Sequence, residues 1–496
     1  MRYKIIGLLY TILFTNLFAN NSMQLTLDSA VDIAINNSYQ TRRLELELRR
    51  SLHYLNAYKA GLNTQVYMRL KSPDFTNVSD YRWNSVLYKD EIVRINSILW
   101  QSDLSVSQPV ILFGYPTNGY LSLNYRVYNY KQFDDGQQET DWYNRLYLKF
   151  EQPFFLPNEL KNDLEEAELD LQDIKLRYIS ERMEIIERIA DDYYDIFELM
   201  VNRRNHQNQL FLLQETLERC NTVVAADSSR RMELTQIELE ISNVEENLLS
   251  NQARVRNEIA NLRQRLRLPQ TDSLYVIPVI RIVPITIDLQ QALDLAIKNT
   301  PWLQRLHIYR RRSEIDVENE KGNNAFHMTF EATYGLEKKN HKFYDLWDQF
   351  DNSNSMTLNA YIPLWDGGRR RNRIQAEMLD LERRDLSIEE EREDIINDVT
   401  NYYTNFNDYY QRAVNMQNRV RLSNKITAES IKQYENNDIT LQGLIQIIKR
   451  HKETEDKFLQ VYSGYRRSLL ELSLQTLYDF ESNVSLMDEF ELDYRD

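Results

Sequence analysis

The feature that most constrains this chain is an internal duplication. The 27 residues that begin at Leu25 match the 27 that begin at Ile287 without a gap, and 11 of the aligned positions are identical. A second match aligns Pro153 with Pro363 at a smaller offset, so the first copy carries 52 extra residues before its proline. We therefore predict two copies of one structural unit, the first with an insertion.

Each copy is predicted to have the order helix, strand, strand and then two very long helices. Between Ile374 and Val420, apolar and aromatic residues recur at steps of three, four and seven, which is coiled-coil periodicity. Helices of about 55 residues would be about 80 Å long, so they must pack side by side. The first repeat is predicted over 20–283, with an insertion at 72–142 and a helical hairpin at 158–267. The second repeat is predicted over 284–480, with strands at 326–337 and 355–363 and a helical hairpin at 366–476.

The predicted strands alternate between apolar and polar residues. From Phe326 to Glu337, every even position is apolar and every odd position is polar or glycine. One apolar and one charged face is what an outer-membrane barrel needs, although a soluble β-sandwich shows the same alternation. In a barrel the charged face would line the lumen, and the candidates for this lining are Arg69, Lys71, Lys149, Glu151 and Glu331.

The insertion contains two more alternating runs, one around Ser105 and one around Asn124. It is either an extracellular hairpin or a pair of further strands in the wall. The sequence leaves both open, so we expect four strands per chain, or six if the insertion joins the wall.

The N-terminus has the features of an export signal. Arg2 and Lys4 precede an apolar run that ends near Ala19, and this run is short for a membrane-spanning helix. We expect 1–19 to be a signal peptide and the rest of the chain to be exported. An acidic C-terminal tail is expected at 481–496.

The composition argues against several functions. The net charge of -15 speaks against a nucleic-acid partner, and the single cysteine, Cys220, excludes an intramolecular disulfide. The six histidines lack the spacing of a zinc site, and no motif for a nucleophile or a nucleotide occurs in a suitable context. We therefore predict no catalytic residue, no metal, no cofactor and no enzyme activity.

The stretch YIPLWDGGRRRNR, which begins at Tyr361, is interpreted as a corner between a strand and a helix. Proline ends a strand because it has no donor for the ladder, and paired glycines permit a sharp turn. A phosphate loop is disfavoured because GxxxxGK[ST] is absent, whereas arginines beside a bilayer can meet anionic headgroups or acidic helices. The corner residues are Pro363, Gly367, Gly368, Arg369, Arg370 and Arg371.

Together these features resemble the TolC family of outer-membrane efflux proteins. The resemblance rests on the paired LxLxxAlxxAixNn starts at Leu25 and Ile287, the corner YIPLWDGGRRRNRIQAE, and the late hairpin that begins at Gln433. It covers nearly the whole mature chain. It implies an α+β fold in which three chains share a 12-stranded barrel that is continued by a long antiparallel α-helical coiled-coil tunnel.

The resemblance also implies a function. The chain would be a trimeric channel-tunnel of a tripartite efflux or type I secretion system, located in the cell outer membrane with its helical tunnel in the periplasm. Its partners would be two further copies of itself, a periplasmic adaptor protein, an inner-membrane pump and the lipid of the outer membrane. The alternative is a periplasmic coiled-coil adaptor or structural protein.

By resemblance, the periplasmic tips of the two helical hairpins meet the adaptor and close the tunnel. Some members carry paired aspartates early in the last hairpin, where this chain has Gly443 and Gln446. A purely structural role as turn formers is the alternative for the tip residues. The candidates for adaptor contact and gating are Val223, Val224, Ala226, Asp227, Glu233, Asn436, Asn437, Asp438, Ile439, Thr440 and Gln446.

Overall fold

The computed structural model describes residues 22–84, 88–134, 137–226, 228–269 and 273–487. The expected signal peptide and the last part of the expected acidic tail, 488–496, lie outside these ranges. The helices within them are α1 (Leu27–Asn37), α2 (Tyr39–Gly61), α3 (Glu159–Ala226), α4 (Arg231–Leu266), α5 (Leu289–Asn299), α6 (Pro301–Gly322), α7 (Arg369–Glu435) and α8 (Leu441–Thr476). The strands are β1 (Ser22–Leu25), β2 (Gln65–Asn84), β3 (Lys89–Leu112), β4 (Tyr115–Asp134), β5 (Gln137–Phe154), β6 (Ser273–Val276), β7 (His327–Asn340), β8 (Asp351–Tyr361), β9 (Tyr478–Asp479) and β10 (Val484–Ser485).

Six strands form one antiparallel sheet in the order β2-β3-β4-β5-β7-β8. The insertion supplies β3 and β4, which lie between β2 and β5 in this sheet. Of the two possibilities that the sequence leaves open, the structure therefore has the insertion as two further strands. The strands of both sequence repeats share this one sheet, because β5 pairs directly with β7.

The sheet has one apolar face. A row of directly opposed residues crosses five strands on this face, formed by Val66, Val106, Leu123, Leu148 and Tyr334. Most of these side chains are exposed in the single chain, so the other residues that the structure describes do not cover the apolar face.

The other face of the sheet is polar. Successive residues of a strand point to opposite faces, so the apolar rows alternate with charged ones. One charged row crosses all six strands and consists of Arg69, Asp103, Arg126, Arg145, Glu337 and Asp351. Both signs of charge therefore occur side by side on this face.

The duplicated sequence motif has the same structural role in both copies. Asn37, at the end of α1, donates from its amide nitrogen to the carbonyl of Leu266, the last residue of α4, at 3.2 Å. Asn299, at the end of α5, donates to the carbonyl of Thr476, the last residue of α8, at 2.8 Å. Because the last carbonyls of a helix have no partner within the helix, each asparagine satisfies one of them. The buried alanines of the motif let each short helix pack closely, and they are Ala30, Ala34, Ala292 and Ala296.

The long helices bury the apolar positions of their repeating pattern. On α7, Ile388, Ile395, Val399, Phe406 and Ala413 are buried, at steps of seven, four, seven and seven residues. This spacing keeps the buried side chains on one stripe of the helix, which packs against neighbouring helices. None of the described helices has an apolar stretch long enough to cross a bilayer.

The described residues fall into two compact units. One takes the chain up to Glu47, Lys175–Arg305 and the chain from Ile388, and the other takes Leu48–Ile174 and Leu306–Ser387. Each unit therefore contains residues from both halves of the sequence. The division into repeats at 20–283 and 284–480 concerns the sequence pattern and stays a prediction.

Gly464 allows close packing between α7 and α8. A Cβ added there would lie 2.5 to 2.8 Å from three ring atoms of Tyr409, whereas one added at Gly443 on the same helix would lie 3.4 Å from the Thr440 hydroxyl. We expect Gly464→Ala to destabilise the protein by about 1–3 kcal/mol, because the ring must move. Gly443→Ala is the matched control and should be neutral or slightly stabilising, because alanine is the better helix former. Thermal unfolding followed by circular dichroism compares the two, and equal stabilities would contradict the packing role.

Candidate functional site

The tips of the two long helical hairpins are joined by a polar network centred on Arg230. Its guanidinium donates twice to the carboxylate of Glu233, from Nε to Oε1 at 2.8 Å and from Nη2 to Oε2 at 2.9 Å. Its third nitrogen, Nη1, donates to Oδ1 of Asn437 at 2.6 Å. Arg230 and Glu233 belong to the first hairpin and Asn437 to the second. A planar guanidinium suits such a fixed set of acceptors, so this residue ties the two tips together.

Tyr434 forms the second link between the tips. Its ring is fully buried, its hydroxyl donates to Oε2 of Glu233 at 2.9 Å, and the Arg230 guanidinium lies 5.6 Å from the ring centroid. The pKa of Tyr434 is raised, mainly by burial and further by Cys220 and Glu233. The hydroxyl therefore stays protonated and remains a donor. Apolar side chains from both hairpins surround this link, and they are Leu213, Cys220, Ile237, Val244, Ile431, Leu441, Leu444, Ile445 and Ile448.

The structure places the predicted tip residues in three kinds of environment. Val224 and Ile439 pack against the apolar cluster. Val223, the residue before Val224, is half-buried. Glu233 and Asn437 belong to the polar network, and Thr440 caps α8 by accepting a hydrogen bond from the Gly443 amide. Asn436, Asp438 and Gln446 are exposed and belong to neither group. Ala226 is the last residue of α3, and Asp227 lies outside the described residues.

Two residues of this network, Arg230 and Tyr434, were not among the sequence candidates. Arg230 precedes α4 and Tyr434 lies in the last turn of α7, more than 200 residues away. A tyrosine at an apolar heptad position is indistinguishable from a core residue in a single sequence. The side chains become partners only because the two hairpins end side by side.

The corner at Tyr361 to Arg371 is built as a cap for α7. Gly367 and Gly368 have positive φ angles of 68° and 86°, which an L side chain rarely adopts. Asp366 accepts hydrogen bonds from the backbone amides of Gly368 and Arg370, both at 2.8 Å. These amides hold the pKa of Asp366 below its usual range. Asp366 was also missed, although an aspartate just before a helix is a capping signal that can be found in a sequence.

The arginines of the corner are partly explained by a second helix end. Arg370 donates from Nη2 to the carbonyl of Lys321 at 2.6 Å, near the end of α6, and Arg373 lies 3.8 Å from Glu320. A cation is favoured at the C-terminal end of a helix, so these arginines stabilise α6 although they oppose the dipole of α7. Pro363, Arg369 and Arg371 are exposed.

The predicted lumen candidates all lie on the polar face of the sheet. Lys149 contacts Glu151 at 2.8 Å and Glu331 at 3.2 Å, and the two glutamates are directly opposed across β5 and β7. Arg69 is opposed to Asp103 and Lys71 forms an ion pair with Asp74. These side chains give one face of the sheet a set of charges of both signs.

A buried acid lies on α8 away from the tip. The side chain of Glu455 is 16% exposed, and burial together with Asp456 raises its pKa to about 7, against the opposing effect of Arg204 and Lys452. Its carboxylate lies 3.6 Å from Nε2 of His451, whose pKa is lowered by burial. Burial therefore favours the neutral form of both side chains, and Glu455 stays protonated below about pH 7.

Because the folded chain holds the Glu455 proton more tightly than the unfolded chain, stability falls as the pH rises from about 4.5 to about 7. We expect Glu455→Gln to remove this loss and to be more stable than the original chain above pH 7, by up to about 3 kcal/mol. The exposed Glu453→Gln on the same helix is the control. Unfolding curves at several pH values measure the difference, and parallel pH profiles for Glu455→Gln and the original chain would contradict the prediction.

The comparisons with known proteins concern the fold. No protein-family model matches the sequence, and no curated protein matches it. Among solved structures, the outer membrane protein VceC of Vibrio cholerae is 12% identical with a TM-score of 0.63, and the match covers 92% of this chain and 95% of VceC. The outer membrane channel CmeC of Campylobacter jejuni is 10% identical with a TM-score of 0.62, covering 96% and 94%. The outer-membrane channel OprN is 12% identical with a TM-score of 0.64, covering 91% and 89%. The chain therefore has the fold of the TolC-like outer-membrane channels, in which a β-barrel is combined with a long helical tunnel.

Proposed function

We propose that this chain is one subunit of a trimeric outer-membrane channel that exports substrates passively. In this proposal an inner-membrane pump supplies the energy and a periplasmic adaptor connects the pump to the helical tips. The observation that carries the proposal is the six-stranded sheet, which exposes its apolar face and keeps its charges on the other face.

The apolar face of the sheet suits lipid rather than water. Met68 on β2 and Leu358 and Met356 on β8 are 62%, 61% and 77% exposed. A soluble sheet would cover such a face with helices or with a second sheet. In an outer-membrane barrel the same face contacts the bilayer, while the charged face lines a watery lumen.

Aromatic residues at one end of the strands support the same placement. Outer-membrane barrels carry girdles of aromatic side chains where the wall meets the membrane interface. In this chain, exposed aromatic residues gather where β3, β5 and β8 end and where β4 and β7 begin, and they are Phe113, Tyr115, Phe154, Phe155, Phe326, Tyr361 and Trp365. Their position at the strand ends is that of an interface girdle.

The two outer strands of the sheet require further chains. Within the described residues, β2 and β8 each pair with one neighbour only. An unpaired strand edge in lipid leaves backbone donors and acceptors without partners, which costs several kcal/mol for each group. Six strands of one chain must therefore be completed by other copies. The fold shared with TolC-like channels favours three.

Fractionation and native mass measurement test this proposal. We expect the protein in the outer-membrane fraction and, after extraction in detergent, at the mass of three chains. A periplasmic adaptor or structural protein would instead appear in the soluble periplasmic extract. A stable monomer in the membrane extract would also overturn the proposal, because the strand edges would then have no partner.

We also propose that the network at the hairpin tips holds the channel closed. Arg230, Glu233, Tyr434 and Asn437 connect the two hairpins through charge-assisted hydrogen bonds. Such bonds are worth about 1.5–3 kcal/mol each, so the loss of one can shift a closed-to-open equilibrium about tenfold. An adaptor that competes for these groups would open the tips in the same way.

Arg230→Gln is expected to raise the open fraction about tenfold in single-channel recordings in planar bilayers. Arg231→Gln is the control, because it removes the same charge from an exposed neighbouring position. Tyr434→Phe should act in the same direction as Arg230→Gln, because it removes only the hydroxyl that reaches Glu233. Equal effects of Arg230→Gln and Arg231→Gln would show that net charge, rather than the network, controls opening.

A further inference from the structure

We propose that three copies of this chain close an 18-stranded barrel in which β2 of one copy pairs with β8 of the next. This inference rests on the proposed trimeric channel and goes beyond it. The family resemblance implies four wall strands per chain, whereas six strands form one sheet here. The two extra strands, β3 and β4, come from the insertion in the first repeat.

The inserted strands have the faces of wall strands. Val106 on β3 and Leu123 on β4 are directly opposed and continue the apolar row between Val66 on β2 and Leu148 on β5. Leu104, Leu121 and Leu123 are more than one-third exposed on this face. An extracellular hairpin would have no reason to present apolar side chains on the same side as its membrane-spanning neighbours.

The polar side of the inserted hairpin is equally continuous with the wall. Asp103 on β3 forms an ion pair with Arg126 on β4, and Ser105 donates to Asn124 at 2.6 Å. Arg126 is in turn directly opposed to Arg145 on β5. The charged side chains of the hairpin therefore lie on the same face of the sheet as those of β5.

The inserted hairpin also ends at the aromatic rim. Phe113, in the turn between β3 and β4, is fully exposed, and Tyr115, the first residue of β4, is 66% exposed. Phe154 ends β5 and is opposed to Met328, next to the first residue of β7. A turn that places an aromatic residue at this rim belongs to the interface girdle, so the hairpin crosses the same membrane layer.

The two free edges have the right direction to pair. Six antiparallel strands are an even number, so β2 and β8 run in opposite directions within one chain. When a rotation about the barrel axis brings β8 of one copy beside β2 of the next, the new pair is antiparallel like the others. An open sheet of this kind can therefore repeat around a ring without a change of pattern.

The stagger of the sheet fits a closed barrel. Through successive cross-strand pairs, Gln65, the first residue of β2, lies in one row with Ser355 on β8. Ser355 lies six residues before Tyr361, the last residue of β8. If the start of β2 and the end of β8 lie at the same membrane interface, this offset amounts to about one residue for each strand of the sheet. A shift of that size corresponds to a strand tilt of about 35°. Barrels need tilts of about 35–45° to close.

This stagger also predicts the register of the new pair. With Gln65 opposite Tyr361 of the next copy, Arg69 faces Thr357 on the polar side and Met68 faces Leu358 on the apolar side. An even shift of six keeps polar residues opposite polar ones, because side chains alternate with a period of two. A shift by one residue would instead put Arg69 on the lipid side.

A barrel of 18 strands is about one and a half times as wide as one of 12, because the diameter grows roughly in proportion to the strand number. Barrels of 16 to 18 strands in general leave an open aqueous channel. The wall of this channel would then admit solutes larger than a 12-stranded wall does, which places size selection at the helical tips.

Cysteine cross-linking tests the arrangement in the full-length trimer. In a Cys220→Ser background, Arg69→Cys with Thr357→Cys should give disulfide-linked dimers and trimers on non-reducing gels after oxidation, while Arg126→Cys with Arg145→Cys should cross-link within one chain. Because only some cross-strand sites bring Cβ atoms close enough, the neighbouring pairs Tyr67 with Asn359 and Lys71 with Ser355 are scanned as well. Arg69→Cys with Ser353→Cys, four residues out of register, is the matched control.

A 12-stranded trimer would also pair β8 with β2 of the next copy, but it differs in the strand that lies beside β2 within one chain. In that case β2 pairs with β5, so Arg69→Cys with Arg145→Cys or with its neighbours on the polar face cross-links within one chain, and the β4 to β5 pair does not form. That result, with the trimer mass intact, would overturn the 18-stranded wall and leave the proposed channel standing. A chain that is monomeric or absent from the outer membrane would overturn both.

Discussion

The proposed channel depends on one constraint, which is that every backbone donor and acceptor in a lipid layer needs a partner within the protein. Among the described residues, the six-stranded sheet meets this requirement for its inner strands but leaves β2 and β8 with one neighbour each. The same sheet has an apolar face that none of the described residues covers. The proposed channel resolves both features together, since closing the sheet with other copies would pair the edges and turn the apolar face towards lipid.

The helical hairpins pose a similar problem, because every helix leaves backbone donors and acceptors at its ends without partners inside the helix. Specific side chains supply the partners. Asn37 and Asn299 donate hydrogen bonds to the last backbone carbonyls of α4 and α8, and Asp366 caps the start of α7. At the tips, Arg230 and Tyr434 share the carboxylate of Glu233. The proposed gate is thus a site where hydrogen bonds between hairpins can be exchanged for hydrogen bonds to a partner.

Much of the fold could be predicted from local pattern. The heptad spacing around Phe406 identified the long helices, and the alternation from Phe326 identified β7, since each period follows from the geometry of one element. The tip network could be predicted only in part. Glu233 and Asn437 were found by resemblance, whereas Arg230 and Tyr434 were missed because their partners lie in the other hairpin.

The sequence by itself determined the kind of elements, their order and the two faces of each strand, because helix and strand periods, caps and turns depend on neighbouring residues. Only the tertiary structure decided that the insertion joins the six-stranded sheet. Alternating strands look the same in a wall and in an exposed hairpin, and the difference lies in which strand stands beside β2 and β5. That choice is made by long-range pairing across the sheet, which a local pattern does not encode.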